Sequence, residues 1–199
     1  MTGERAHAWR VAVWILIASE ALLFAALFAL YVGYRAEYPE AFARGAAEDV
    51  GWIGGLLTMI LIGSSCAMAL ATLEVRAGRT AAAARWMLLV MAIGAAFVAL
   101  KLAEWFIHIH DGIVAGTGYH GPIDARGIQL FFTLYFLMTG LHMFHLVAGI
   151  AMVAWVYVLV RGPLGATRGV AVECVGLYWN FVDAIWMFLW PLFYLMRAA

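Results

Sequence analysis

Polar residues whose chemistry is unusual in an apolar setting stand inside the longest apolar segments of this sequence. The last segment carries Glu173, Asn180 and Asp183 at helical spacing, so that they share one helix face with Gly176 and Met187. A carboxylate at membrane depth costs about 3 kcal/mol on insertion scales. We therefore expect this face to meet protein, a bound polar group or water. The alternative is a helix end whose acids lie near the lipid headgroups.

A single carboxyl group stands in the first apolar segment. Glu20 lies about ten residues into it, which is roughly 15 Å along a helix and close to mid-bilayer. An ionisable residue at this depth indicates a functional site. The simpler interpretation is a glutamate that makes one hydrogen bond to another helix.

Two further pairs of polar residues are spaced three apart. Lys101 and Glu104 can form an ion pair near one membrane interface, and we favour a structural role for it. His142 and His145 are expected to point the same way on their helix. Two imidazoles seldom suffice for a metal site. Hydrogen bonds from these histidines to a membrane carboxylate such as Glu104 or Glu173 are the favoured interpretation.

A second set of histidines falls in a segment that we predict to be a loop. It contains His108, His110 and His120, with Asp111 and Asp124 close by. A metal site there is conceivable, but solvated surface histidines are the favoured interpretation. No nucleophile–base arrangement, phosphate-binding glycine loop or haem attachment motif is present, so the sequence itself predicts neither a catalytic residue nor a bound metal.

The composition indicates where these residues lie. Of 199 residues, 66% are hydrophobic and 12% are charged, and the mean hydropathy is +0.93. Soluble domains are about 45–50% apolar and about 25% charged, so the sequence predicts an integral membrane protein. The zero net charge gives no indication of nucleic acid binding. Cys66 and Cys174 fall in different segments without metal-type spacing.

Five apolar segments are long enough to cross a bilayer as helices, which needs about 20 residues each. The sequence thus predicts an all-α, polytopic membrane helix bundle that forms one domain over residues 1–199. We place its helices at about 11–34, 52–73, 85–107, 128–160 and 170–196, with loops near 35–50, 74–84, 108–127 and 161–169.

The distribution of arginine predicts the orientation, because basic residues concentrate on the cytoplasmic side. The side that holds the N-terminus carries Arg5, Arg10, Arg76, Arg79, Arg85, Arg161 and Arg168. The opposite side carries Arg35, Arg44, Arg126 and Arg197. We expect a cytoplasmic N-terminus and an external C-terminus.

The motifs, taken in order, resemble subunit III of the haem-copper respiratory oxidases in its short five-helix form. Five pieces carry the resemblance: a Ser-Glu segment at 18–24, Leu-Leu and Ser-Ser pairs at 56–57 and 64–65, a Glu-aromatic motif at 104–105, Gly-x-His-x-x-His at 140–145 with Gly149, and the closing stretch 173–186. Two departures are visible. Larger members have two additional N-terminal helices, and Asn180 stands where the family usually has histidine.

The resemblance implies a non-catalytic subunit that packs beside oxidase subunits I and II. Haem and copper would belong to those partners, and this chain would hold no cofactor other than bound phospholipid. Glu20 would be the buried carboxylate of a lipid cleft that helps sustain proton uptake. The resemblance also implies one polar network that ties the later helices together, formed by Glu104, His142, His145, Glu173 and Asp183.

Three alternatives stay open. The related accessory subunit of nitric oxide reductase shares these motifs, and gene neighbourhood would separate it from an oxidase subunit. A stand-alone carrier or proton channel could use Glu20 and the histidines, although no inverted repeat is visible. A membrane metalloenzyme would use His108, His110, His120, His142 and His145. The electron donor, cytochrome c or quinol, is not encoded in these residues.

Overall fold

Long helices dominate the structure because a backbone in lipid must satisfy its hydrogen bonds within its own segment. The computed structural model describes residues 3–48, 51–110, 112–113, 125–162 and 167–195. Within these ranges the elements are α1 (Gly3–Glu37), α2 (Pro39–Glu48), α3 (Gly51–Arg76), α4 (Thr80–His110), α5 (Ala125–Arg161), α6 (Thr167–Trp190) and a π-helical turn (Pro191–Leu195). All but α2 and the turn are long and apolar enough to cross a membrane.

The prediction of an all-α bundle with five membrane-spanning helices is confirmed. Most helices extend beyond the predicted bounds; α1, for example, covers residues 3–37 rather than 11–34. Hydropathy marks only the part of a helix that lies in lipid, whereas helical hydrogen bonding continues into the polar flanks. We call the side on which α1 begins the N-side of the bundle and the side on which it ends the C-side.

One helix occupies a segment that was predicted to be a loop. α2 begins at Pro39, which is well suited to a first helical position because its missing N–H group has no partner there. Phe42 and Ala46 are buried on one face of α2, and the Phe42 ring packs edge-on against Phe131 of α5. A ten-residue amphipathic helix carries too little apolar sequence to register in a search for membrane spans.

The core lies among four helices in which α3, α4, α5 and α6 each pack against the next, and α6 closes back on α3. α1 lies outside this group, against α6 and α5. Only Phe24 and Tyr31 are buried along the 35 residues of α1. The central helix of the fold is therefore α6, which contacts α1, α3 and α5.

The connection between α3 and α4 is short and depends on a glycine. Gly78 adopts a φ of +74°, a backbone conformation that residues with a Cβ atom rarely take. The amide of Arg79 donates to the carbonyl of Glu74 over 2.9 Å, which caps the end of α3. α4 then begins at Thr80, so the two helices run antiparallel from this turn on the N-side.

Close packing at the centre of the bundle depends on glycine. Trp179 of α6 is fully buried and lies against Gly94 of α4 and Gly149 of α5. A Cβ atom built at Gly94 would lie 2.8 Å from the Trp179 ring and 3.1 Å from Ile150. Small residues at such contacts let membrane helices approach closely.

We predict that Gly94→Ala lowers the free energy of unfolding by about 1–2 kcal/mol, because an extra methyl group in a filled core forces neighbours to shift. The matched control is Gly63→Ala on α3, where an added Cβ meets nothing within 4 Å. Unfolding in mixed detergent–denaturant micelles measures both. Equal stability of the two variants would show that the packing around Trp179 is loose.

Candidate functional site: buried polar contacts between the helices

A buried lysine is the centre of the polar cluster on the C-side. The Lys101 side chain is fully buried, and its Nζ lies 2.6 Å from Glu104 Oε1 and donates to the hydroxyl of Tyr135 over 2.9 Å. It also donates to the hydroxyl of Tyr194. The ring of Trp186 lies 5.4 Å from the ammonium group, within cation–π range. The predicted ion pair of Lys101 and Glu104 is present in the structure.

Tyr194 reaches this cluster because α6 ends in a π-helical turn. Pro191 has no N–H group, so the α-helical ladder cannot continue through it, and the backbone widens over the next residues. The turn buries Phe193 and Tyr194. The hydroxyls of Tyr135 and Tyr194 both donate to Glu104 Oε1. The carboxylate therefore has three donors, from α4, α5 and the end of α6.

Glu20 is joined to His145, and this contact links α1 to α5 in the middle of the membrane. Glu20 Oε2 lies 2.9 Å from His145 Nε2, and His145 Nδ1 lies 2.7 Å from the carbonyl oxygen of Leu141. A carbonyl can only accept, so Nδ1 carries a proton. One further proton is then shared between Nε2 and Oε2, held either by the carboxyl group or by the imidazole.

His142 occupies a different environment although it is only one turn away. Its side chain is fully buried between the rings of Phe97 and Trp186, at centroid distances of 5.7 and 5.3 Å. Among the described residues, neither ring nitrogen has a hydrogen-bond partner. The prediction that His142 and His145 point the same way is wrong. Positions three apart differ by about 60° around a helix, enough to face different neighbours.

Asp183 holds α6 against α3. Its Oδ2 accepts hydrogen bonds from Ser64 over 2.8 Å and from Ser65 over 2.6 Å. Trp179 Nε1 donates to the same Ser64 hydroxyl over 3.1 Å, and about two turns further along α6 Trp186 Nε1 donates to the Thr58 hydroxyl. Asp183 is almost completely buried. Its contacts are thus within the chain and between two helices.

Glu173 lies at the N-side end of α6 in a cluster of charges. Its Oε2 is 3.1 Å from Arg10 of α1 and 3.4 Å from Arg76 of α3. All three side chains are at least partly exposed. Glu173 thus fits the interpretation of an acid near the lipid headgroups, and it joins the ends of three helices.

The face of α6 that carries Glu173, Asn180 and Asp183 is only partly buried. Gly176 and Asp183 are buried, whereas Asn180 and Met187 are exposed on the chain. Trp179 and Trp186 mark the centre of the buried side. This face therefore lies at the edge of the buried side of α6. It was expected to meet protein, a bound polar group or water, but Asn180 is not covered by other residues of the chain.

The polar residues do not form the one network that the resemblance implied. Glu104 belongs to the lysine cluster, His145 to Glu20, Asp183 to the two serines and Glu173 to two arginines. The predicted hydrogen bond to a membrane carboxylate is present for His145, but its partner is Glu20 and not Glu104 or Glu173. Glu104 lies toward the C-side and Glu173 at the N-side, whereas His145 lies at the depth of Glu20, halfway between them.

Two of the histidines that were predicted to lie in the third loop lie in a helix instead. His108 and His110 form the last turn of α4, and His108 is buried. His120, Asp111 and Asp124 lie outside the described residues. In the part of the chain that the structure describes, no three His, Cys, Asp or Glu side chains are grouped closely enough to hold a metal ion.

Several partners in these clusters were not singled out as polar sites from the sequence. Tyr135 and Tyr194 look like ordinary aromatic residues of a membrane helix, and Ser64 and Ser65 look like small packing residues. Their signal is indirect: a buried charge needs donors or acceptors, and hydroxyl groups on neighbouring helices supply them. The clusters can neutralise charges, fix helix positions and, at His145, hold a shared proton.

Comparisons with known proteins extend over nearly the whole chain. Residues 4–197 match the family described as Cytochrome c oxidase subunit III. The chain is 30% identical over 195 residues to cytochrome bo(3) ubiquinol oxidase subunit 3 of Pseudomonas aeruginosa, covering 93% of this chain and 83% of that protein. It is 28% identical over 184 residues to cytochrome c oxidase subunit 3 of Synechocystis, covering 92% of this chain and 73% of that protein.

A third relative has a longer chain. The heme-copper oxidase subunit I+III of Aeropyrum pernix is 29% identical over 197 residues, which cover 94% of this chain and 22% of that protein.

Proposed function

The chain belongs to the cytochrome c oxidase subunit III family, and from this membership we infer that it is an accessory subunit of a haem-copper oxidase. It is a multi-pass membrane protein and part of a multi-subunit oxidase complex. The observation that carries this conclusion is the family match across residues 4–197, which includes all five membrane-spanning helices. The buried polar groups agree with it, since they bind one another between helices.

The redox centres of the oxidase are proposed to lie in the partner subunits. Haem iron and copper need imidazole or thiolate ligands that converge on one point. His142 and His145 face different helices, and the described residues contain no group of three potential ligands. The described residues of this chain therefore do not fit haem or copper. Its contribution to electron transfer to oxygen, from cytochrome c or quinol, is indirect.

Oxidase subunits I and II are the proposed protein partners. The name of the Aeropyrum pernix relative joins subunits I and III, and this chain matches 22% of that protein. The outward face of α1 is strongly apolar; Ile15, Leu22 and Val32 are each more than 60% exposed. Such a face in a membrane meets lipid or the helices of a neighbouring subunit.

Glu20 is proposed to act in membrane lipid binding and in sustaining proton uptake. Its side chain is 21% exposed at the junction of α1 and α5, and its Oε2 shares a proton with His145 Nε2 at mid-membrane. Glu104, His142, Glu173 and Asp183 are proposed to act in assembly, by holding helix positions, and Asn180, which is exposed on the chain, by meeting a partner subunit or a bound polar group.

The bacterial cell membrane is the proposed location, with the N-terminus in the cytoplasm and the C-terminus outside. Arg10 and Arg76 come together at the N-side, and Arg79, Arg85 and Arg161 stand at the helix ends of that same side. The positive-inside rule assigns such a side to the cytoplasm.

The proposal can be tested by recovering the tagged full chain from its native membrane in a mild detergent. Partners are identified by mass spectrometry, haem by its optical spectrum and activity by oxygen consumption. A haem-copper oxidase core that consumes oxygen is the expected result. A nitric oxide reductase would replace the proposal by the alternative accessory subunit. A chain recovered alone and without haem would contradict it.

Substitution of Glu20 tests the role of its contact with His145. We predict that Glu20→Gln leaves the assembled complex intact, because the glutamine amide can donate to His145 Nε2. Glu20→Ala removes the link and lowers stability by about 1 kcal/mol, as interhelical hydrogen bonds in membranes do. We expect Glu20→Ala also to lower the turnover of the complex and the amount of lipid that it retains.

The measurement compares oxygen consumption and retained phospholipid for both variants in proteoliposomes. Glu37→Ala, at the exposed C-side end of the same helix, is the matched control. If both Glu20 variants keep full activity and lipid, Glu20 contributes only packing.

A further inference from the structure

A cavity of about 390 Å³ opens between the N-side ends of α4 and α5. Its polar wall is formed by Arg85 and Thr80 of α4 and by Tyr157 and Arg161 of α5. Arg161 Nη1 donates to the Tyr157 hydroxyl over 2.9 Å, and its guanidinium group lies 5.4 Å from that ring. Arg161 is therefore held at the rim, and the hydroxyl hydrogen of Tyr157 stays available for an acceptor.

The charge in this cavity is unbalanced. Elsewhere on the N-side, carboxylates accompany three of the arginines: Glu173 lies beside Arg10 and Arg76, and Glu74 beside Arg79. The described residues that line the cavity between α4 and α5 include no carboxylate. Among the described residues, neither Arg85 nor Arg161 forms an ion pair. Two guanidinium groups on one concave surface without an acid make a site for an anion.

The donors of this site are side chains rather than the backbone of the first turn of α4. The amides of Thr80, Ala82 and Ala83 already donate to carbonyl oxygens of Gly78 and Arg79. The two guanidinium groups and the hydroxyls of Tyr157 and Thr80 are thus the side-chain groups of this wall that can donate to a bound oxygen. Their fork geometry suits the tetrahedral oxygens of a phosphate group.

The other wall of the cavity is apolar and indicates the source of the phosphate. On α4, Ala84 lies beside Arg85, and Leu88 lies about one turn further toward the middle of the bilayer and is about half exposed. A lipid places its phosphate at the interface and its acyl chains directly below it. A soluble anion gains nothing from this wall.

We propose that this cavity binds the phosphate group of an anionic phospholipid through Arg85, Arg161 and Tyr157, with its acyl chains against Leu88 and Ala84. Basic pockets between membrane helices on one side of the bilayer bind lipid headgroups in this way. The inference rests on the membrane-spanning arrangement and not on association with an oxidase. The site is separate from Glu20, which lies between α1 and α5 near mid-membrane.

The test uses the purified full chain and native mass spectrometry. The probes are phosphatidylglycerol and phosphatidylcholine with matched acyl chains, and inorganic phosphate alone. The double variant R85Q/R161Q is compared with the charge-matched control R10Q/R79Q, whose arginines lie on the N-side but do not line the cavity. R85K/R161K keeps both positive charges. Thermal unfolding of each variant checks that the fold is retained.

Phosphatidylglycerol should bind the wild-type chain more tightly than phosphatidylcholine does. R85Q/R161Q should weaken phosphatidylglycerol binding on the order of thirtyfold, about fivefold for each basic group. R10Q/R79Q should bind like the wild type, and R85K/R161K should retain most of the affinity. Equal binding by R85Q/R161Q and wild type, or equal binding of the two lipids, would overturn the proposal. Competition by millimolar inorganic phosphate would overturn the lipid assignment in favour of a soluble anion.

Discussion

Lys101→Met is expected to lower the free energy of unfolding by about 3–5 kcal/mol, the cost of breaking a buried ion pair from one side. Lys101 is fully buried and supplies the positive charge beside Glu104, whose side chain is only 19% exposed. Methionine has nearly the same length but no charge and no donor. The carboxylate then keeps only the two tyrosine hydroxyls and carries its charge in a low-dielectric environment.

The experiment follows unfolding of the full chain in mixed detergent–denaturant micelles. The double variant Lys101→Met with Glu104→Gln should recover much of the loss, because no unpaired charge is then left inside the bundle. Arg79→Met is the matched control, since it breaks an exposed pair with Glu74 and should change stability little. A Lys101→Met chain as stable as the wild type would show that the ammonium group is not what neutralises Glu104.

Asp183→Ala is expected to cost about 2–3 kcal/mol and to reduce recovery of the assembled complex. The substitution removes the acceptor of Ser64 and Ser65 and leaves two hydroxyl groups between α3 and α6. The Ser64 hydroxyl can still donate to the carbonyl of Leu61, 2.9 Å away, which limits the loss. Asp183→Asn keeps an acceptor oxygen at the same place and should lose less.

The yield of complex per milligram of membrane, together with detergent unfolding, measures this effect. Glu37→Ala serves as the control because Glu37 is an exposed acid at the end of α1. If Asp183→Ala and Glu37→Ala give similar yields, the contact between α3 and α6 is not needed for assembly.

The features that follow from local sequence were predictable. Long apolar runs define the five spans, and the Lys101–Glu104 pair needs only that residues three apart lie on one helix face. The sequence shows the proline at which α2 begins, but the ten residues of α2 contain too few apolar positions to predict a packed helix. Local spacing thus predicts what happens within one helix.

Contacts between helices were not predictable to the same degree. Glu20 and His145 are 125 residues apart, and nothing in their local sequence selects one as the partner of the other. The depth of each residue would have served as a guide: Glu20 and His145 lie at mid-membrane, while Glu104 and Glu173 lie toward opposite sides. The angular position of a residue around its helix then decides which neighbouring helix it contacts. His142 and His145, which lie on the same helix, face different helices.

The position of α1 has a consequence for biosynthesis. α1 is made before α5 and α6, yet among the membrane-spanning helices its main contacts are with these two. At about 5–20 residues per second, the 125 residues between Glu20 and His145 take on the order of 10 s to synthesise. The Tyr31 hydroxyl is without its acceptor for longer, because the carbonyl of Leu192 follows 161 residues later. During insertion Glu20 of α1 therefore stands in the bilayer before His145 is available, and α6 completes the attachment of α1 after α5 has been made.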